Sequence, residues 1–245
     1  SDAGLEETHT MFASDTNLFA VRIDPAGEFL VVSGWDGRVS GWRLGEDGPV
    51  TELPGLVLPV PRPVLELDVV AGRWTFATLG GTVYSWESES SVLPSLPGNV
   101  FMVGTSHDPP RFMTSTGPPE GALTVWDATQ PHAPVALHTL RASGEDVSTG
   151  AGAISTDGRY AAMGTAAGRV VVWDVSGEEA QQVVDVEVAP EAVITVAFTP
   201  DSDGVLTLGR AGMVRLVSLE DGTRGQLRDE VELPAGAFAV GMGPS

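Results

Sequence analysis

The chain has 245 residues, 42% of them apolar and 30 of them glycine, enough for one sizeable domain rich in strands and turns. Its formal net charge is −20, from 33 acidic residues against 13 basic ones that are all arginine, and such a surface repels nucleic acid and anionic lipid as main partners. There is no cysteine, which removes disulfides, thiolate metal sites and thiol nucleophiles together.

In chain order, Glu7 to Ala13 reads as a strand, followed by a regular unit. Leu18 to Ile23 alternates as a strand, Asp24-Pro25-Ala26-Gly27 is a turn, and Phe29 to Ser33 is a second strand. Trp35-Asp36-Gly37 makes a second turn, Arg38 to Leu44 a third strand, and Pro49 to Leu53 a short outer strand. Asp-Gly and Pro-x-Gly between β-branched runs are hairpin signals, because glycine supplies the positive φ that tight turns demand. Leu53 to Pro63 holds four prolines and reads as a stiff connector, with docking into an aromatic groove as the alternative. A second unit runs from Val64 to about Leu96, and a third from Val100 to about Leu140. The fourth runs from Gly150 through Thr156-Asp157-Gly158 and Arg169 to Val175, and the fifth from Ile194 through Thr199 to Gly204 and Met213 to Leu219. Ala235 to Met242 reads as the first strand of a further unit. No segment shows helical periodicity, and none reaches the roughly 18–20 apolar residues of a membrane helix. No charged-then-apolar leader opens the chain, so a soluble, cytoplasmic protein is expected.

The third strands of four units end in tryptophan, at Trp42, Trp86, Trp126 and Trp173, spaced 44, 40 and 47 residues apart. Val217 takes the same place 44 residues further on. A period of 40–50 residues marks a repeat architecture. With Ile194 to Phe198-Thr-Pro-Asp201, Asp157-Gly158, Trp126-Asp127 and Trp173-Asp174, the chain resembles the WD-repeat β-propeller family over roughly residues 17–233. That resemblance implies an all-β fold of four-stranded antiparallel blades around a central channel, the tryptophan strand third in each. One domain over 1–245 is expected, with blades at about 17–55, 64–98, 100–140, 147–188 and 193–233. Residues 5–14 and 235–242 would supply strands to an irregular closing blade. The alternatives are a chain cut from something longer and a ring that a partner closes with its own strands. Two departures stand out: no Gly-His precedes any first strand, and the acidic residue of the turn between second and third strands survives clearly only at Asp36. The buried Asp-His-Ser-Trp hydrogen-bond network of such repeats is therefore expected to be missing.

Candidate sites are few. His9, His107, His132 and His138 lie in different settings, and His107-Asp108 beside Pro109-Pro110 reads as a solvated turn without a nucleophile or second metal ligand. Asp201-Ser202-Asp203-Gly204 lacks the downstream glutamate of a calcium loop and reads as a hairpin turn. No catalytic residue, metal or cofactor is expected. Within the resemblance, Trp35 and Arg210 stand in turns between second and third strands, and Arg62 and Arg141 in connectors opening onto the same face, which in this family usually binds partners. Tryptophan and arginine are enriched at binding hot spots. Two readings fit Trp35, a partner contact or packing over the neighbouring blade. The expected function is a non-enzymatic protein-interaction scaffold within a larger protein or complex, with protein partners. The rival is a propeller enzyme or small-ligand binder at the central channel, for which the inner strands offer only Glu66, Asp68, Arg22 and Asp24.

Overall fold

Strands make up all the regular structure in the described part of the computed structural model, which comprises residues 17–24, 26–44, 51–52, 56–57, 64–70, 73–78, 83–86, 91–92, 101–116, 121–130, 133–143 and 148–233. They form five antiparallel sheets whose strands lie side by side in chain order. The first contains β1 (Leu18–Ile23), β2 (Phe29–Gly34) and β3 (Arg38–Arg43), edged by β4 (Thr51–Glu52) and β5 (Leu56–Val57). The second contains β6 (Val64–Val70), β7 (Arg73–Thr78), β8 (Val83–Trp86) and β9 (Ser91–Val92). β10 (Phe101–His107), β11 (Pro110–Ser115), β12 (Ala122–Asp127) and β13 (Val135–Arg141) make the third. The fourth is β14 (Ser148–Ile154), β15 (Tyr160–Thr165), β16 (Arg169–Asp174) and β17 (Gln181–Glu187). The fifth is β18 (Val193–Phe198), β19 (Gly204–Gly209), β20 (Met213–Ser218) and β21 (Leu227–Glu232). Successive sheets touch through their first strands: β1 meets β6, β6 meets β10, β10 meets β14 and β14 meets β18.

The repeat is visible in irregularities as well as in order. Every first strand slips register in its first half, at Leu18/Ala20, Val64/Glu66, Met102/Gly104, Ser148/Gly152 and Val193/Thr195. The third strands of sheets three to five slip again at the tryptophan position. Such bulges bend and twist a strand, which lets a four-stranded blade curl around its neighbour.

The turns after the first strands share a device that is not visible in the sequence. The oxygens of Asp24, Ser155 and Thr199 each accept the amide five residues on, from Phe29 (2.6 Å), Tyr160 (2.8 Å) and Gly204 (2.9 Å). Three different side chains thus close the same hairpin, by the local side-chain-to-backbone bonding these residue types favour. Asp24 belongs to this turn and not to the inner strand. The aspartates of Trp126-Asp127 and Trp173-Asp174 do similar work at the C-terminal end of the third strand, at the same end of the sheet, accepting the amides of Thr129 (2.8 Å) and Ser176 (3.0 Å).

The core lies between sheets. Ile154, Ala161, Met163, Val171 and Trp173 of sheet four pack against Met113, Leu123, Val125 and Leu140 of sheet three. The other face of sheet four, with Ala153, Ala162, Val170 and Val172, packs against Val196, Phe198, Val205 and Val217 of sheet five. The tryptophan face of sheet four is therefore turned to sheet three, and in the fifth sheet Val217 fills the tryptophan's place against sheet four.

Three expectations need correction. The proline-rich stretch is not all connector: Leu56 and Val57 pair with Val39 and Arg38, continuing the outer edge that Thr51–Glu52 begins. Proline cannot donate to a ladder, and Pro54 and Pro59 therefore hide this short strand in the sequence. His107 ends β10 and Pro110 opens β11, leaving only Asp108-Pro109 in the turn. The tryptophan-to-hydroxyl link of the hydrogen-bond network is present in sheet three, where Trp126 Nε1 donates to Thr114 Oγ1 at 2.8 Å. The expected closing strands at 5–14 and 235–242 lie outside the described residues.

Candidate partner-binding face

Antiparallel order places the turn between second and third strands at the same end of a blade as the connector entering its first strand. Hydrogen bonds tie the two together. Trp35 N donates to Asn17 O at 2.9 Å, and Arg210 N donates to Ala192 O at 3.0 Å. In sheet four, Gly168 O accepts the amides of Val188 and Ala189 at 2.8 and 2.9 Å, so the connector to sheet five is stitched to the turn beside it. Glu191 of that connector accepts the Ala211 amide through Oε1 at 3.0 Å.

Trp35 stands on this end of sheet one with 54% of its surface exposed, although the turn's backbone is fixed from both sides. Gly37 N donates to Gly34 O, and Asp36 Oδ1 accepts the Arg38 amide at 3.1 Å. Arg210 occupies the matching turn of sheet five and is exposed, and Arg141 is the exposed last residue of β13 in sheet three. Arg62 lies outside the described residues. The three that are described share the turn-and-connector end of their sheets, with Arg141 at least one sheet away from each of the others, so they mark a broad rim and not one cluster.

The carboxylates of Asp201, Asp203 and Asp174 are engaged. Asp203 receives Arg228 at 2.8 Å and the Thr199 hydroxyl at 3.0 Å, and Asp201 Oδ1 accepts the Asp203 amide at 3.3 Å. The Arg228 guanidinium, with help from these smaller contacts, holds the Asp203 carboxyl below its ordinary value. At Asp174 burial pushes the other way, but the Ser176 hydroxyl and amide and the Arg159 guanidinium outweigh it, and the net shift is downward. His138 is half-buried on β13 opposite Val125; His9 and His132 lie outside the described residues. Among the described residues, no group of three or more histidines or carboxylates could hold a metal ion, and no helix is long and apolar enough to cross a membrane.

A cleft of about 360 Å³, which the sequence did not reveal, opens between sheets four and five beside Val186, Val188, Pro190, Val217 and Leu227. Arg215 crosses it, donating to the Val188 carbonyl and, at 3.3 Å, to Glu230. The only sequence signal was an arginine on a strand otherwise apolar at its alternate positions.

Comparison with known proteins agrees with this geometry. Residues 5–43 match the family model described as WD domain, G-beta repeat. The β-propeller domain of Cps50 (Swd1) from Myceliophteria thermophila superposes with a TM-score of 0.70 at 17% identity, covering 90% of this chain and 70% of that one. No curated protein sequence matches. The chain has a β-propeller fold, with a WD-repeat match over residues 5–43. Propellers of this type serve in general as protein-interaction scaffolds.

Proposed function

We propose that the chain is a non-enzymatic protein-interaction module, one part of a larger protein or complex, whose partner docks on the end carrying Trp35, Arg141 and Arg210. Arg62, in the connector between the first two blades, is assigned to the same face. The observation that carries the reading is Trp35, a large aromatic more than half exposed on a turn whose backbone is hydrogen-bonded in place. An indole presented on a fixed backbone loses little conformational freedom on binding, so most of its contact area goes into affinity. Exposed arginines on the same rim add directional donors for a partner's carboxylates and carbonyls.

The test is the double substitution Trp35→Ala with Arg210→Ala. Affinity for the native partner should fall by at least about 2 kcal/mol, roughly 30-fold, while the melting temperature stays close to that of the parent. Unchanged affinity would remove this face from the account. A metal or organic cofactor retained in the native mass spectrum would favour the rival reading of an enzyme or small-ligand binder.

A further inference from the structure

Sheets four and five touch through β14, β15 and β18, and the cleft of about 360 Å³ opens between them toward their outer strands β17 and β21. Register fixes what faces it. On sheet four, Val186 and Val184 lie opposite Val170 and Val172, which pack toward sheet five. On sheet five, Arg215 and Val217 share one face of β20, with Glu230 and Leu227 opposite them on β21. Val186, Val188, Val217 and Leu227 are therefore the apolar walls, and Leu227 is 50% exposed. The turn into β21 closes one end, where a Cβ on Gly225 would lie 3.5 Å from Val186. Arg215 closes the other by donating to the Val188 carbonyl. Its side chain is 24% exposed and uses Nη1 and Nε, while Nη2 has no acceptor among the described residues. Around the mouth stand Glu187, Glu230 and Glu232, all exposed, on a chain of net charge −20. Arg215 neutralises Glu230, at 3.3 Å, and the balance at the mouth stays negative.

We infer that this cleft binds an extended peptide segment of a partner protein in which one large apolar side chain is flanked by lysine or arginine. The apolar side chain enters between Val186, Val217 and Leu227. A cavity of about 150 Å³ already admits a benzene-sized group, so the volume here takes a side chain as large as tryptophan together with some backbone. Nη2 of Arg215 donates to a main-chain carbonyl of the segment, an acceptor without the full negative charge that the surrounding glutamates repel. The flanking cations meet Glu187 and Glu232. This is a second surface, and it does not depend on the end that carries Trp35.

The probes are fluorescein-labelled, C-terminally amidated peptides Arg-Arg-X-Arg-Arg, with X leucine, phenylalanine or tryptophan, titrated with the full chain at about 50 mM salt and read by anisotropy. The tightest of the three should bind at least about 10-fold more strongly than the peptide with X glycine, as burial of one such side chain requires. Leu227→Glu should weaken it at least about 10-fold, although that substitution makes the chain more negative. Trp35→Ala with Arg210→Ala should leave it within about 2-fold, which separates this site from the face proposed above. Equal binding of the glycine peptide, or undiminished binding to Leu227→Glu, means attraction by charge alone and overturns the inference. Binding by none of the three peptides at about 1 mM overturns it as well. Should Leu227→Glu fail to fold, hydrogen exchange on the parent decides. Peptide-induced protection at residues 186–189 and 225–229 supports the assignment, and protection confined to other segments overturns it.

Discussion

Gly168 is where backbone geometry and blade-to-blade packing meet, and replacing it with alanine separates the two. Its φ is +78°, and an added Cβ would lie 1.9 Å from Ala189 O and 2.7 Å from Glu191 O. Both oxygens belong to the connector between sheets four and five. Gly222 offers the matched control, with φ +89° and nothing within 4 Å of an added Cβ. Gly222→Ala should cost only the left-handed penalty, about 1 kcal/mol. Gly168→Ala carries that penalty and must also displace the connector. The shift breaks the bonds from Val188 and Ala189 to Gly168 O, worth about 1 kcal/mol each, and loosens two residues buried at 4% and 2% exposure. The expected total is about 3–5 kcal/mol. For a chain of this size, melting should fall by about 3 °C for Gly222→Ala and by roughly 10 °C for Gly168→Ala. Urea denaturation gives the free energies directly. If the two variants lie within about 1 kcal/mol of each other, the connector is not pinned against the turn and the account of the blade interface is wrong.

Thr114→Val should cost about 1–2 kcal/mol by leaving the Trp126 indole N–H without its acceptor, and adding Trp126→Phe should cost less than it does in the parent. Thermal melts of the four species give the coupling, and strictly additive losses would mean the bond contributes nothing. The depressed carboxyls of Asp174 and Asp203 stabilise the fold above the unfolded carboxylate value near 3.8, and that contribution is lost as pH falls through their lower folded values. Asp203→Asn should therefore melt below the parent at pH 7 and converge with it near about pH 2.5; a gap that widens in acid would reverse the assigned sign. A net charge of −20 implies self-repulsion, so raising salt from about 20 to 200 mM should increase the melting temperature, and a decrease would show that screened attractive pairs dominate.

What the sequence disclosed was local. The tryptophan period, the Asp-Gly turns and the alternation within strands are set by neighbours a few residues apart, and they located the strands and the repeat. The shared turn lock at Asp24, Ser155 and Thr199 was hidden because three chemistries occupy one position. The continuation of the outer edge through Leu56 and Val57 was hidden by the prolines around it. Which tryptophan keeps a hydroxyl partner depends on Thr114 lying twelve residues away across a hairpin, a pairing that only the register reveals. The cleft crossed by Arg215 arises from contacts between blades, which the alternation within a strand does not report. Trp35, by contrast, could be singled out from the sequence because it breaks the repeat, standing in a turn where the other units have no aromatic.

The central claim, a propeller whose turn-and-connector end receives a protein partner, is tested most directly by hydrogen exchange on the free and partner-bound protein. Protection on binding should appear at residues 34–38, 141–143 and 209–212. Protection confined to the opposite end, at residues 24–28, 155–159 and 199–204, would contradict the account.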